Sequence, residues 1–307
     1  MGRIYVIGGA NIDILGKSTG SLRMFDSNPG EISFSFGGVG RNIARGCAAL
    51  GADVSFVTCF SGDHYGRLMK EDCIREGIRC SDSIDADDLP SSIYLAILDR
   101  DREMTLAMSD MRILDRLDKN TVSHVLEKAR PDDMIIVDCN LQEEILAYIF
   151  RNAPCPAAAD PVSTVKAVRL KNCLDRISIL KPNQYEAEEM SGIRITDPAH
   201  ASAALDHFLN AGVREVIISM ADKGILFGSG KEKFRMTHRI VLADNVTGGG
   251  DTLLSAYCIR RMNGSTPREA LRFAVSAAVM KIEGRRDLCT AGIEANMDQM
   301  MITEETI

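Results

Sequence analysis

Short apolar runs alternate along the chain with stretches whose apolar residues recur at helical spacing. Residues 4–7 form an apolar run ended by Gly8-Gly9, which predicts a buried strand and a turn with Asn11 and Asp13 at its exit. Residues 14–36 read as irregular and rich in Gly and Ser, closing in Glu31-Ile32-Ser33-Phe34-Ser35-Phe36, the period of a strand with one covered face. Ile43, Cys47 and Leu50 mark a helix over 40–50 that Gly51 stops; a strand over 53–59 and a helix over 63–76 follow. The alternation breaks at 91–108, where two apolar segments flank Asp99-Arg100-Asp101-Arg102, a hairpin pattern. Strands over 134–138, 157–160, 177–180 and 215–220 then alternate with helices over 143–152, 162–174, 185–191 and 199–210. Segments 224–227 and 234–242 read as β, and helices over 251–262 and 267–283 complete the pattern.

Strands and helices in alternation predict an α/β fold: a doubly wound, mostly parallel sheet with helices on both faces. No repeat or flexible linker divides the chain, so residues 1–307 are expected to form one domain, with segments 14–36 and 92–108 standing off it as a small β lid. Open sheets of this kind bind ligands outside the carboxyl ends of their strands. Asn11, Asp13, Asn140, Asp160, Asn183 and Asp251 all fall at such ends, which predicts one cleft. Taken singly, each is as well explained as a cap or turn residue.

A net charge of −7, with Lys and Arg scattered, leaves no basic stripe and argues against nucleic acid or an anionic membrane as partner. A small molecule fits better. The nine cysteines form no Cys-x-x-Cys pair and fall mostly in apolar stretches, as expected of free thiols in a reducing compartment. The first residues lack the pattern of a signal peptide, and no run of 18 apolar residues occurs, so the chain is expected to be cytoplasmic with no membrane span.

The chemistry concentrates at Gly248-Gly249-Gly250-Asp251, which opens the helix over 251–262. Three residues without Cβ let backbone amides close on a ligand, and the amides and dipole of the helix start favour an anion. Asp251 beside that anion is placed as a proton acceptor for an attacking hydroxyl, the arrangement that phosphoryl transfer uses; the plainer reading is a turn with Asp as helix cap. Two other phosphate motifs are excluded by counting. Gly228-Ser229-Gly230-Lys231 has Ile225 at the first glycine of a P-loop and Glu232 at its Ser/Thr, and Gly38-Val39-Gly40 is followed by Ile43 where a dinucleotide fingerprint needs glycine. Gly37-Gly38-Val39-Gly40-Arg41-Asn42 opens a second helix, with Asn42 able to read a hydroxyl.

Together, residues 37–42 and 245–251 resemble the two signature motifs of the ribokinase (PfkB) family of carbohydrate and nucleoside kinases, and Asn183-Gln184-Tyr185-Glu186 resembles its Asn-x-x-Glu motif. The likeness runs from residue 4 through the helix after Pro267 and implies a ribokinase-like fold and an ATP-dependent kinase. It implies Asp251 as the base and the amides of Gly248, Gly249 and Gly250 as the anion hole. It places Asn11, Asp13, Gly38, Asn42 and Asn140 on the acceptor's hydroxyls, Asn183 and Glu186 around Mg²⁺, and Asn183, Ser219, Gly224, Thr247 and Ser276 along the nucleotide. Asn245 stands where many members carry an Asp that helps bind K⁺; a neutral amide attracts K⁺ less, so a K⁺ requirement is not carried over. Gly249 stands in place of the usual Ala, and the segment 284–288 is more charged than is usual.

The lid segments are rather apolar for covering a simple sugar, which suits an acceptor bearing a base or, equally, a lid that pairs with a second copy to make a homodimer. Residues 106–111 and 8–13 resemble the pseudouridine-kinase branch of the family, implying the 5′-hydroxyl of pseudouridine as acceptor. Ribokinase, another nucleoside or sugar kinase, and a nucleoside-binding sensor without turnover stay open as alternatives.

Overall fold

The apolar runs become strands whose alternate side chains feed two cores, one on each face of a sheet. The computed structural model of the chain describes residues 2–239, 247–285 and 288–307. In chain order the strands are β1 (Ile4–Ile7), β2 (Asn11–Ser18), β3 (Gly30–Gly37), β4 (Val54–Val57), β5 (Cys59–Ser61), β6 (Ile84–Ala86), β7 (Ile93–Leu98) and β8 (Met104–Asp110). They continue with β9 (Met134–Asp138), β10 (Ala157–Asp160), β11 (Ile179–Leu180), β12 (Glu215–Ser219), β13 (Ile225–Ser229), β14 (Lys233–Thr237) and β15 (Thr303–Thr306). The helices are α1 (Val39–Ala49), α2 (His64–Arg75), α3 (Lys119–Lys128), α4 (Glu143–Asn152), α5 (Thr164–Ala167), α6 (Gln184–Ser191), α7 (Pro198–Asn210), α8 (Gly249–Met262), α9 (Pro267–Ile282) and α10 (Thr290–Asn296).

The main sheet runs β15-β14-β13-β12-β11-β10-β9-β1-β4, parallel from β12 to β4 and antiparallel from β12 to β15. Ile4 and Val6 of β1 turn to one core with α1, α8 and α9, whereas Tyr5 and Ile7 turn to the other with α3, α4 and α7. That is the doubly wound α/β arrangement that the alternation predicts. Period-2 alternation within strands buried on both faces is what sends neighbouring residues to opposite layers. All nine cysteines are free thiols, and no described helix is long and apolar enough to cross a membrane.

Three stretches differ from the sequence reading. The stand-off β unit is a four-stranded sheet, β3-β2-β7-β8, so it takes in residues 11–13, 37 and 109–110 beyond the expected 14–36 and 92–108. Asn11 and Asp13, at the exit of β1 and its turn, therefore sit on a strand of this sheet. The helix expected over 162–174 is reduced to α5 and short 3₁₀ turns at Val168–Leu170 and Leu174–Arg176. Asp160 Oδ1 accepts from Val162 N at 2.8 Å and Val162 has φ of 69°, a backbone that no helix continues. The β segment expected over 234–242 is described only as β14, since 240–242 lie outside the described residues.

Gly38 ties the β unit to the body. It precedes α1 with φ of 95°, and a Cβ there would lie 2.5 Å from Gly9 O and 2.7 Å from Ala10 Cα. Backbone atoms cannot give way as side chains do, and a side chain at that φ is itself strained. Gly38→Ala is expected to lower stability by about 2 kcal/mol or more, read as a lower urea midpoint; an unchanged midpoint would show that this junction relaxes freely.

Candidate active site

Three loops meet at the carboxyl end of the sheet, drawn together by Asp138. This wholly buried carboxylate at the end of β9 accepts from Gly9 N at 2.8 Å, Gly40 N at 2.7 Å and Asn140 N at 2.9 Å. Burial raises its pKa, against the pull of those amides. The bonds fix the exit of β1, the start of α1 and the loop after β9. Asn11, Asp13, Gly38, Asn42 and Asn140 are thereby brought to one region.

Within it, Asn11 Nδ2 donates to Asp13 Oδ1, and burial raises the Asp13 pKa while Asn11 and the Arg41 guanidinium oppose the rise. Asn42 Nδ2 donates to Asp251 Oδ2 at 2.9 Å, joining α1 to the first turn of α8. Asn140 Oδ1 accepts from Lys166 Nζ at 2.6 Å. Asp13, Gly37, Asn42, Thr247, Gly248 and Thr252 line a single cavity of about 800 Å³.

Beneath the glycine turn lies a cluster of charge. Lys181 Nζ is buried 2.7 Å from Asp160 Oδ2, and a Cβ on Gly250 would come within 2.7 Å of the same nitrogen. Gly250 is therefore the residue that lets the helix start sit directly on an ammonium group. Burial works against the Lys181 charge, but Asp160 and Asp251 outweigh it and hold the pKa above that of free lysine. Asp251 is pushed up to about 7, first by burial and then by Asp160, with Lys181 and Asn42 pulling the other way.

Asn183 and Glu186 form a reciprocal capping box at the start of α6: Glu186 N donates to Asn183 Oδ1 at 2.9 Å and Asn183 N to Glu186 Oε2 at 2.8 Å. Glu186 is not a solvated first-turn acid. It is buried, and its pKa rises to about 7, first through burial and then through Asp160. Ser219 lies beside this box, its N–H donating to Pro182 O at 3.0 Å, and Gly224 closes the next turn with φ of 89°.

Ser276 is wholly buried in α9, its hydroxyl donating to Arg272 O at 3.0 Å, and it is not among the residues that line the cavity; Ala277 and Lys281 are the α9 residues on that wall. One residue along a helix turns the side chain by about 100°, and the apolar surroundings of Ser276 could not set that phase. Asn245, with the K⁺ question attached to it, lies outside the described residues, as do Arg286 and Asp287. Asp138, Lys166, Lys181 and Lys281 carry no motif in the sequence that marks them as residues of this region. Among the described residues no group of three or more His, Cys, Asp or Glu could by itself hold a metal ion.

A family model described as pfkB family carbohydrate kinase matches residues 1–287. Among curated proteins, pseudouridine kinase of Escherichia coli (strain K12) is 33% identical over 282 residues, 91% of this chain and 90% of that protein. Among solved structures, a putative sugar kinase from Clostridium perfringens superposes with a TM-score of 0.86 at 28% identity, covering 100% of this chain and 99% of that one. Arabidopsis thaliana ribokinase complexed with ribose and ATP superposes with a TM-score of 0.81 at 20% identity, covering 96% and 98% of the two chains, a likeness of fold.

The charge cluster makes a prediction of its own. A carboxyl whose pKa is about 7 is protonated in mild acid and becomes a base only as pH rises through that value. In a ¹³C titration of aspartate-labelled protein, one carboxyl resonance that disappears in Asp251→Asn is expected to titrate near 7. A midpoint in the ordinary range, near 4, would remove the electrostatic argument for Asp251.

Proposed function

Because the chain belongs to the pfkB family of carbohydrate kinases, we propose that it transfers the γ-phosphoryl group of ATP to the 5′-hydroxyl of a ribonucleoside, with pseudouridine as the acceptor. The observation that carries this reading is the Asn42–Asp251 hydrogen bond of 2.9 Å. It joins Asp251, the base in this reading, to the start of α1 at the seam with the glycine turn. A hydroxyl held there loses its proton to Asp251 as its oxygen bonds to the γ-phosphorus, and the bond to the β–γ bridging oxygen breaks to release ADP. The amides at 248–250 and the α8 dipole hold the charge that develops on the phosphoryl oxygens.

ATP in this chemistry is accompanied by Mg²⁺, which neutralises charge on its phosphates when bound. The donor set fits an ion held through water. Asp160, Glu186 and Asp251 share the single ammonium of Lys181, leaving an excess of negative charge. The capping box engages Glu186 Oε2 and leaves Oε1 without a backbone partner among the described residues, while Asn183 Oδ1 is taken. Ser219, Gly224 and Thr247 stand along the nucleotide's path in this reading.

Support for a base-bearing acceptor comes from the β unit. Asp13 pairs in register with Ser35 and Tyr94, and Tyr94 with Ser109, so the face that carries the acceptor-binding Asp13 is polar but includes a ring on which a base can stack. The 33% identity to a pseudouridine kinase adds to this. In a coupled ADP-release assay with Mg-ATP, pseudouridine is expected to be preferred over uridine, cytidine, adenosine, ribose and fructose. Asp251→Asn is expected to reduce kcat by roughly 10²–10⁴ with nucleotide affinity within a few-fold of wild type. Preference for ribose or adenosine would overturn the acceptor, and an active Asp251→Asn the base.

The opposite face of the β unit supports a homodimer. Ile32, Gly16, Ile97 and Leu106 form one cross-strand row and Phe34, Ile14, Leu95 and Met108 the next. At its base this face packs on the core through Ile12, Ile93 and Phe36; farther out Ile32 is 81% and Met108 68% exposed. A continuous apolar surface of this kind is covered by a second copy of itself at least cost in new chemistry. Sedimentation is expected to find a dimer that Phe34→Glu with Leu106→Glu converts to monomer; a monomeric wild type would sink the pairing.

A further inference from the structure

The glycine turn is flanked by two ammonium groups, and the second is not explained by the fold. Lys281 lies in the last turn of α9. A lysine there ordinarily favours its own helix's carbonyl end. Instead its side chain crosses to α8, where a Cβ on Gly248 would come within 3.3 Å of Lys281 Cε, and it lines the cavity with Asp13, Asn42, Gly248 and Thr252. Among the described residues no carboxylate pairs with its ammonium; the neighbouring Glu283 is taken by Arg239. Lys181 Nζ sits on the other side of the turn, within 2.7 Å of where a Gly250 Cβ would be.

This arrangement is unfavourable on its own terms. The positive end of the α8 dipole lies beside a lysine, Lys281, that no carboxylate pairs among the described residues, while Asp160 and Asp251 both lie on the Lys181 side. An anion at the turn removes the repulsion. Resting on the kinase reading above, we propose that Lys281 is a catalytic residue that contacts the transferring γ-phosphoryl group. In this view Lys181, buried and paired with Asp160, sets the field beneath the turn. Lys281, half-buried and unpaired among the described residues, moves with the phosphoryl group as its charge redistributes.

The test separates the residue from the reaction. Lys281→Met keeps the length of the side chain and removes its charge; Lys281→Arg keeps the charge. With Mg-ATP and the preferred acceptor, Lys281→Met is expected to lose about 10² in kcat with the acceptor KM little changed, and Lys281→Arg to recover most of it. Calorimetry gives a second readout without turnover. The preference for Mg-AMP-PNP over Mg-ADP is expected to fall about tenfold, 1.4 kcal/mol, in Lys281→Met and to stay at the wild-type value in Lys281→Arg. A kcat in Lys281→Met within a few-fold of wild type, or an unchanged nucleotide preference, overturns the assignment. If wild type turns over no acceptor, the kinase reading fails and the nucleotide preference alone still decides Lys281. If wild type binds neither nucleotide, both fail.

Discussion

A single buried carboxylate holds the working end of this protein together. Asp138 is held by three backbone amides, of Gly9, Gly40 and Asn140. Leaving such a group unmatched costs several kcal/mol, so the three loops that supply the amides cannot separate without exposing it. Gly8 makes the contact possible, since a Cβ there would stand 2.6 Å from the Asp138 carboxyl. Everything on the acceptor side is measured from this point. The strand that carries Asn11 and Asp13 starts two residues after Gly9, Asn42 follows Gly40 by two, and Asn140 is itself a donor. Through Asn42 the same constraint reaches Asp251, 209 residues on from Asn42.

The architecture was legible because its signals are local and periodic. Apolar runs such as 4–7 and 134–138 can only be buried strands in a chain this rich in alternating helices, and the doubly wound sheet follows from their order. The glycine-rich turns were legible for a similar reason, because bare backbone beside a helix start has few uses. What was lost depends on distance or phase. The helix expected over 162–174 failed on one local conflict, the Asp160–Val162 turn, which outweighs helical spacing downstream. Ser276 and Ala277 differ by one step of helix rotation, and only packing decides which faces the cavity. Lys281 carries no local signal, since a lysine in a last helical turn is ordinary until the side chain is seen against Gly248. Asn183-x-x-Glu186 shows the reverse: the motif was plain, and the structure adds that it is first of all a capping box.

The charges around the turn would let Asp251 serve at neutral pH as the base proposed above. Asp251 is pulled in two directions: burial and Asp160 favour its protonated form, whereas Lys181 and Asn42 favour the carboxylate. With the cation alone it would be a weak base, always ionised and slow to hold a proton; with burial and Asp160 alone it would keep its proton and accept none. The balance near 7 gives a group that is free to accept a proton yet able to hold it. Asp160 serves both sides, pairing with Lys181 at 2.7 Å and raising Glu186 and Asp251 together. Because these groups share one buried neighbour, their protonation is set jointly, and an incoming phosphate or divalent cation alters all of them at once. In the proposed reaction the ligands would adjust the site as they arrive, which requires that the turn, Lys181 and the two acids stay in contact through the backbone that Asp138 fixes.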